Sequence, residues 1–155
     1  MIKKKISKKE RKALLSHMEK KFGIPENVFK GYDFFSTRKK IYVCSKECAR
    51  DEFFTRSETA GIAFVRPDKE LKPTTDAIQI FGKFASKNIV EISEQQLKKV
   101  LRGEEIELSE LTPEARCNVI ITYQGIDVGC GFYTQGRLRS LIPKVRRIYL
   151  QVQAQ

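Results

Sequence analysis

The chain has 155 residues, 41% of them hydrophobic and 32% charged. That is enough for one ordinary domain or two small ones with a real core, and too apolar for a disordered chain. Lys and Arg number 30 against 19 Asp and Glu, giving a net charge of +11, which favours a polyanionic partner, nucleic acid first. No run approaches the roughly 20 apolar residues of a membrane span. The opening MIKKKISKKERK has no apolar core and no small-residue cleavage site, so a cytoplasmic, non-membrane protein is expected.

Residues 7 to 22 read as a helix. Ser7 and Glu10 have capping-box spacing, Leu14, Met18 and Phe22 form one apolar stripe, and Gly23 and Pro25 stop it. GYDFFSTRKKIYVCSK predicts two strands around a turn at Arg38 to Lys40. ECARDEFFTR predicts a short helix capped by Ser45, and AGIAFVRP a strand ended by Pro67. KPTTDAIQIFGKFA enters a short helix with Thr74 or Thr75 at its start. NIVEIS is a strand. SEQQLKKVLRG is a helix between Ser93 and Gly103, with Leu97, Val100 and Leu101 facing the core. EEIEL is a strand before the acidic linker SELTPEA. CNVIITY and GIDVGCGFY then make a hairpin, and TQGR turns the chain into LRSLIP. After Pro143, VRRIYLQVQ alternates, with Ile148, Leu150 and Val152 on one side, and predicts a last strand. The expected architecture is α+β, with a mixed N-terminal half over residues 1–88 packed on a β-rich half over 89–155.

Catalytic material is thin. His17 is the sole histidine, no P-loop is present, and the glycines of VGCGFYTQG lie in a hairpin rather than a strand-to-helix turn. Those glycines are expected to permit close backbone approach in a small barrel. Cys44 and Cys48 have C-x3-C spacing without a partner pair, and Cys117 and Cys130 sit in apolar runs as buried thiols. No metal, cofactor or enzymatic activity is expected.

Charge is segregated. The first 21 residues carry nine cations and two acids, residues 104 to 114 carry five acids and no cation, and no acid follows Asp127. GRLRSLIPKVRR therefore stands out. Arg137 and Arg139 share one face of a strand while Leu138 points to the core. With Lys144, Arg146 and Arg147 they are expected to form a cationic ridge suited to phosphate, with Tyr133 and Tyr149 as stacking faces. The alternative is a solvated strand face opposite the acids of 104 to 114. Lys72, Thr74 and Thr75 are further phosphate candidates at a helix start.

VLRGEEIEL followed by NVIITYQGIDVGCGFYTQGRLRSLIPKVRR resembles the PUA-like C-terminal region of RsmF-type (Sun family) RNA cytosine-5 methyltransferases. Leu101, Arg102, Gly103 and Glu104 carry the first part of the likeness. Tyr123, Gly125, Gly129 and Gly131 carry the hairpin. Gly136, Arg137, Leu138, Pro143, Lys144 and Arg147 carry the ending. GIPENVFKGYDFF and KPTTDAIQIFG are similar to the preceding segment of that family, so the resemblance spans about residues 24 to 147. The family's methyltransferase domain has no counterpart here, and Cys130 stands where Trp is frequent. The resemblance implies a PUA-like pseudo-barrel that holds structured RNA, transfer or ribosomal, in RNA modification or ribosome biogenesis. Its rival is an adaptor that brings RNA or a ribosomal particle to a separate RNA-modifying enzyme, docking through the acidic face.

Overall fold

The structure is a computed structural model that describes residues 3–50, 61–108 and 116–153. It forms two compact units, Met1–Lys87 and Asn88–Gln155.

In the first unit the caps act as the sequence predicts. Helix α1 spans Lys8–Phe22. The Ser7 hydroxyl accepts from the Glu10 amide at 3.1 Å, and the Glu10 carboxylate accepts from the Ser7 amide at 2.7 Å. Two of the orphan N-terminal donors are thus satisfied reciprocally. Gly23 closes the helix in the left-handed conformation. An antiparallel meander follows the order β1-β2-β3-β4-β5: Lys4–Lys5, Tyr32–Ser36, Ile41–Ser45, Ile62–Arg66 and Lys72–Pro73. Helix α2 is Lys46–Ala49, capped by Ser45 as expected and closed at Arg50, and residues 51–56 of the ECARDEFFTR stretch lie outside the described residues. Helix α3, Thr75–Phe81, starts from Thr74. The core is aromatic. Phe29 packs against Phe34, Phe64 and Phe81 with centroids 5.8, 5.5 and 5.0 Å away, in the tilted and edge-on geometries that ring quadrupoles prefer.

The second unit is a curled five-stranded sheet with two helices. Strands β6 (Ile89–Glu91), β7 (Ile106–Glu107), β8 (Arg116–Tyr123), β9 (Ile126–Thr134) and β10 (Arg137–Ser140) lie in the order β6-β8-β9-β10-β7. The β6–β8 pair is parallel and the others are antiparallel. Helix α4, Glu94–Leu101, has a second capping box, from Ser93 and Gln96. Its Val100 joins Val90, Ile106, Val119, Ile121 and Leu138 in the core. A Cβ on Gly131 would fall 2.7 Å from Leu138 Cδ1 and 2.9 Å from Ile121 Cδ1, so this glycine admits the two side chains. The α+β class and the barrel-like C-terminal sheet agree with the expectation.

One element differs. The segment predicted as a strand after Pro143 is helix α5, Lys144–Gln153. Arg147 donates its amide to the Pro143 carbonyl at 3.0 Å, a helical i to i−4 bond. Val145, Ile148 and Val152 also recur at i, i+3 and i+7, so a short run that alternates satisfied the helical period as well. Proline just before the first turn favours the helix.

Candidate nucleic-acid interface

The two-residue turn Gln135-Gly136, with φ of 49° and 78°, sets the register of the β9–β10 hairpin. Arg137 pairs with Thr134, Leu138 with Tyr133, and Arg139 with Phe132. On the far side of β9, Thr134 pairs with Arg116 and Phe132 with Asn118. Directly paired residues share a face. One face therefore carries Arg116, Phe132, Arg137 and Arg139 together at its β9–β10 hairpin end, and on the same face Asn118, Ile120 and Cys130 are buried. The other carries Cys117, Tyr133 and Leu138 into the core.

Arg116, Arg137 and Arg139 are exposed and Phe132 is half-buried. The Arg116 guanidinium lies over the Phe132 ring, 5.5 Å from its centroid. That is cation–π range, and it keeps the guanidinium beside the ring. Arg137 reaches Glu105 at 3.8 Å, with both side chains more than half exposed. Such a surface pair is weak and yields to a stronger anion. Arg139 makes no ion pair with any described residue. The group can present three planar donors and an aromatic ring on one patch, which suits phosphate oxygens and an unstacked base.

The other predicted site residues are scattered. Tyr133, at 6% exposure, is a core residue with no ring face to offer. Lys144 and Arg146 are exposed in the first turn of α5 rather than on a strand edge, and helical geometry points them to different sides. Arg147 is half-buried against the end of α4. A Cβ on Gly103 would fall 2.0 Å from its guanidinium, so Arg147 crosses the one residue there that has no side chain. Its cation sits at the negative end of that helix, a fold role. Tyr149 lies in α5, with its side chain outside the described residues.

Lys72 pairs with Asp68 at 2.8 Å. The Thr74 hydroxyl accepts from the Ala77 amide and donates to the Ala63 carbonyl, and Thr75 is buried. These three make no open anion site. Of the acidic stretch, Glu104 pairs with Arg102 at 3.1 Å, and residues 109–115 lie outside the described part.

Sequence reasoning missed Phe132 and Arg116. The signal was present. Once Leu138 faces the core, a two-residue turn puts Tyr133 there too and Phe132 outward.

Among the described residues no cluster of His, Cys, Asp and Glu could hold a metal ion. Cys117 and Cys130 are buried thiols outside any disulfide, as expected. Burial pushes the Cys44 thiol up to about 11, with the neighbouring Cys48 and Asp33 adding to it, so it is protonated and unreactive near neutrality. No helix among the described residues is long and apolar enough to cross a membrane.

No curated protein matches the chain. Residues 87–148 match the family described as the Methyltransferase RsmF PUA domain. The match takes in β6 to β10, helix α4, the arginine–phenylalanine face and the first half of α5. The C-terminal unit of this chain is a PUA-like domain of the RsmF type.

Proposed function

We propose that this protein binds structured RNA, transfer or ribosomal, through the exposed hairpin end of the β8–β9–β10 face that holds Arg116, Phe132, Arg137 and Arg139, in RNA modification or ribosome biogenesis. The observation that carries the reading is the grouping of Arg116, Phe132, Arg137 and Arg139 on one face of a PUA-like domain. The arginines take backbone phosphates and release their counterions, and Phe132 stacks on an exposed base. Lys144 and Arg146, just beyond β10, add charge at the same end of the sequence. The protein acts by binding, without a cofactor, and a separate RNA-modifying enzyme supplies any chemistry on that RNA.

The test is a salt titration of binding to bulk transfer RNA and to a ribosomal RNA helix–loop, for wild type and Arg137→Ala/Arg139→Ala. Each lost phosphate contact lowers the log–log salt slope by roughly 0.7 to 0.9, so the double variant should be shallower by about 1.5. Equal affinity and slope for the two proteins at every salt concentration would take this face out of the interface.

A further inference from the structure

The first unit holds a second concentration of charge. A groove of about 510 Å³ is lined by Lys5, Lys8, Arg11, Lys30, Lys46 and Asp33. These come from β1, α1, the turn before β2, β2 itself and α2, so the fold gathers cations that lie up to forty-one positions apart. The single carboxylate, Asp33, is taken by Lys5 at 3.3 Å. Arg11 is fixed, with its guanidinium donating to the Tyr32 and Phe29 carbonyls at 2.8 Å each. Lys8, Lys30 and Lys46 are exposed and make no ion pair with any described residue.

Local energetics do not account for this arrangement. Lys8 and Lys9 occupy the first turn of α1, where the helix dipole favours acids and disfavours cations. A solvated face gains nothing from placing lysine there, whereas an anion held in the groove removes the repulsion. Residues set against local preference are expected where function requires them. The groove also lacks an exposed aromatic: its Phe34 is buried, with Arg11 5.1 Å from the ring centroid. It can hold phosphates but has nothing on which to stack a base.

We infer that this groove is a second RNA contact, one that grips phosphodiester backbone without reading sequence. The inference rests on the RNA reading above and divides the labour. The arginine–phenylalanine face reads an exposed base, and the lysine groove adds salt-sensitive affinity.

The test uses the full chain with Lys8→Gln, Lys30→Gln and Lys46→Gln combined. A charge-matched control combines Lys39→Gln, Lys69→Gln and Lys87→Gln, three exposed lysines that do not line the groove. Arg137→Ala/Arg139→Ala is measured alongside. The groove variant should lower the salt slope by roughly two while leaving the ranking of different RNAs unchanged, and the control should do neither. Circular dichroism should show the fold intact, since all three side chains are exposed. An unchanged groove variant beside a weakened arginine variant would overturn the groove and leave the C-terminal reading standing. Equal losses in groove variant and control would assign the effect to net charge and overturn it too. No RNA binding by the wild type would sink both.

Discussion

Phe132 and Tyr133 are adjacent aromatics with opposite fates, and strand parity decides between them. Phe132 shares the arginine face, while Tyr133 sits opposite Leu138 in the core. Phe132→Ala should therefore weaken RNA binding by the roughly 1–3 kcal/mol of one stacked base, with the salt slope unchanged. Fluorescence anisotropy at several salt concentrations separates these effects, and a change in slope alone would argue against stacking. That Arg137 and Arg139 share an exposed strand face was legible from alternation. Which aromatic shares that face required one further step, the turn register, because neighbouring side chains in a strand differ in face and not in chemistry. His17 carries a second prediction at this scale. Burial, with Lys21 nearby, holds its pKa below the ordinary 6.5. Under mild acid the unfolded chain takes a proton that the native chain refuses, so this contribution to stability is lost as pH falls through 6.5. Melting temperatures between about pH 8 and pH 5.5 should fall less in His17→Gln than in wild type.

Helix starts were legible because their chemistry is local. Ser7, Ser45, Thr74 and Ser93 each accept a hydrogen bond from an amide three residues on, and sequence spacing alone locates them. Ser93→Ala should cost the second unit about 1 kcal/mol, read as a lower denaturation midpoint. The two-residue strands β1 and β5 were illegible for the converse reason: each exists only through its neighbour, and no two-residue pattern announces a partner. The parallel pairing of β6 with β8 is likewise a long-range fact, since it joins Ile89 to Ile120. Helix α5 shows the third kind of failure, two periods satisfied by one short run. Its docking explains Gly103, which has a φ of +80° and lies under Arg147. Gly103→Ala meets both backbone strain and a displaced guanidinium, and should destabilise by roughly 1–3 kcal/mol. Arg147→Ala should relieve the clash but not the strain, so chemical denaturation of the double variant should show only partial recovery.

Across the whole molecule, charge segregation was the most informative feature of the sequence, and the structure shows a cationic surface in each of its two units. One, in the PUA-like unit, is built on a sheet face and includes an aromatic ring. The other, in the first unit, is a groove of lysines gathered from distant segments, which no linear charge count could reveal. Affinity and selectivity should accordingly be separable by mutation, since phosphate contacts position an RNA while base contacts specify it. The central claim is that RNA lies on the exposed patch of Arg116, Phe132, Arg137 and Arg139 at the hairpin end of β8, β9 and β10. Amide chemical-shift mapping of the isotope-labelled full chain, titrated with a structured RNA, tests it most directly. The account predicts saturable shifts at Arg116, Phe132, Arg137 and Arg139, with the core-facing Cys117, Tyr133 and Leu138 moving less. Saturable binding with shifts confined to other surfaces, and this face silent, would contradict it.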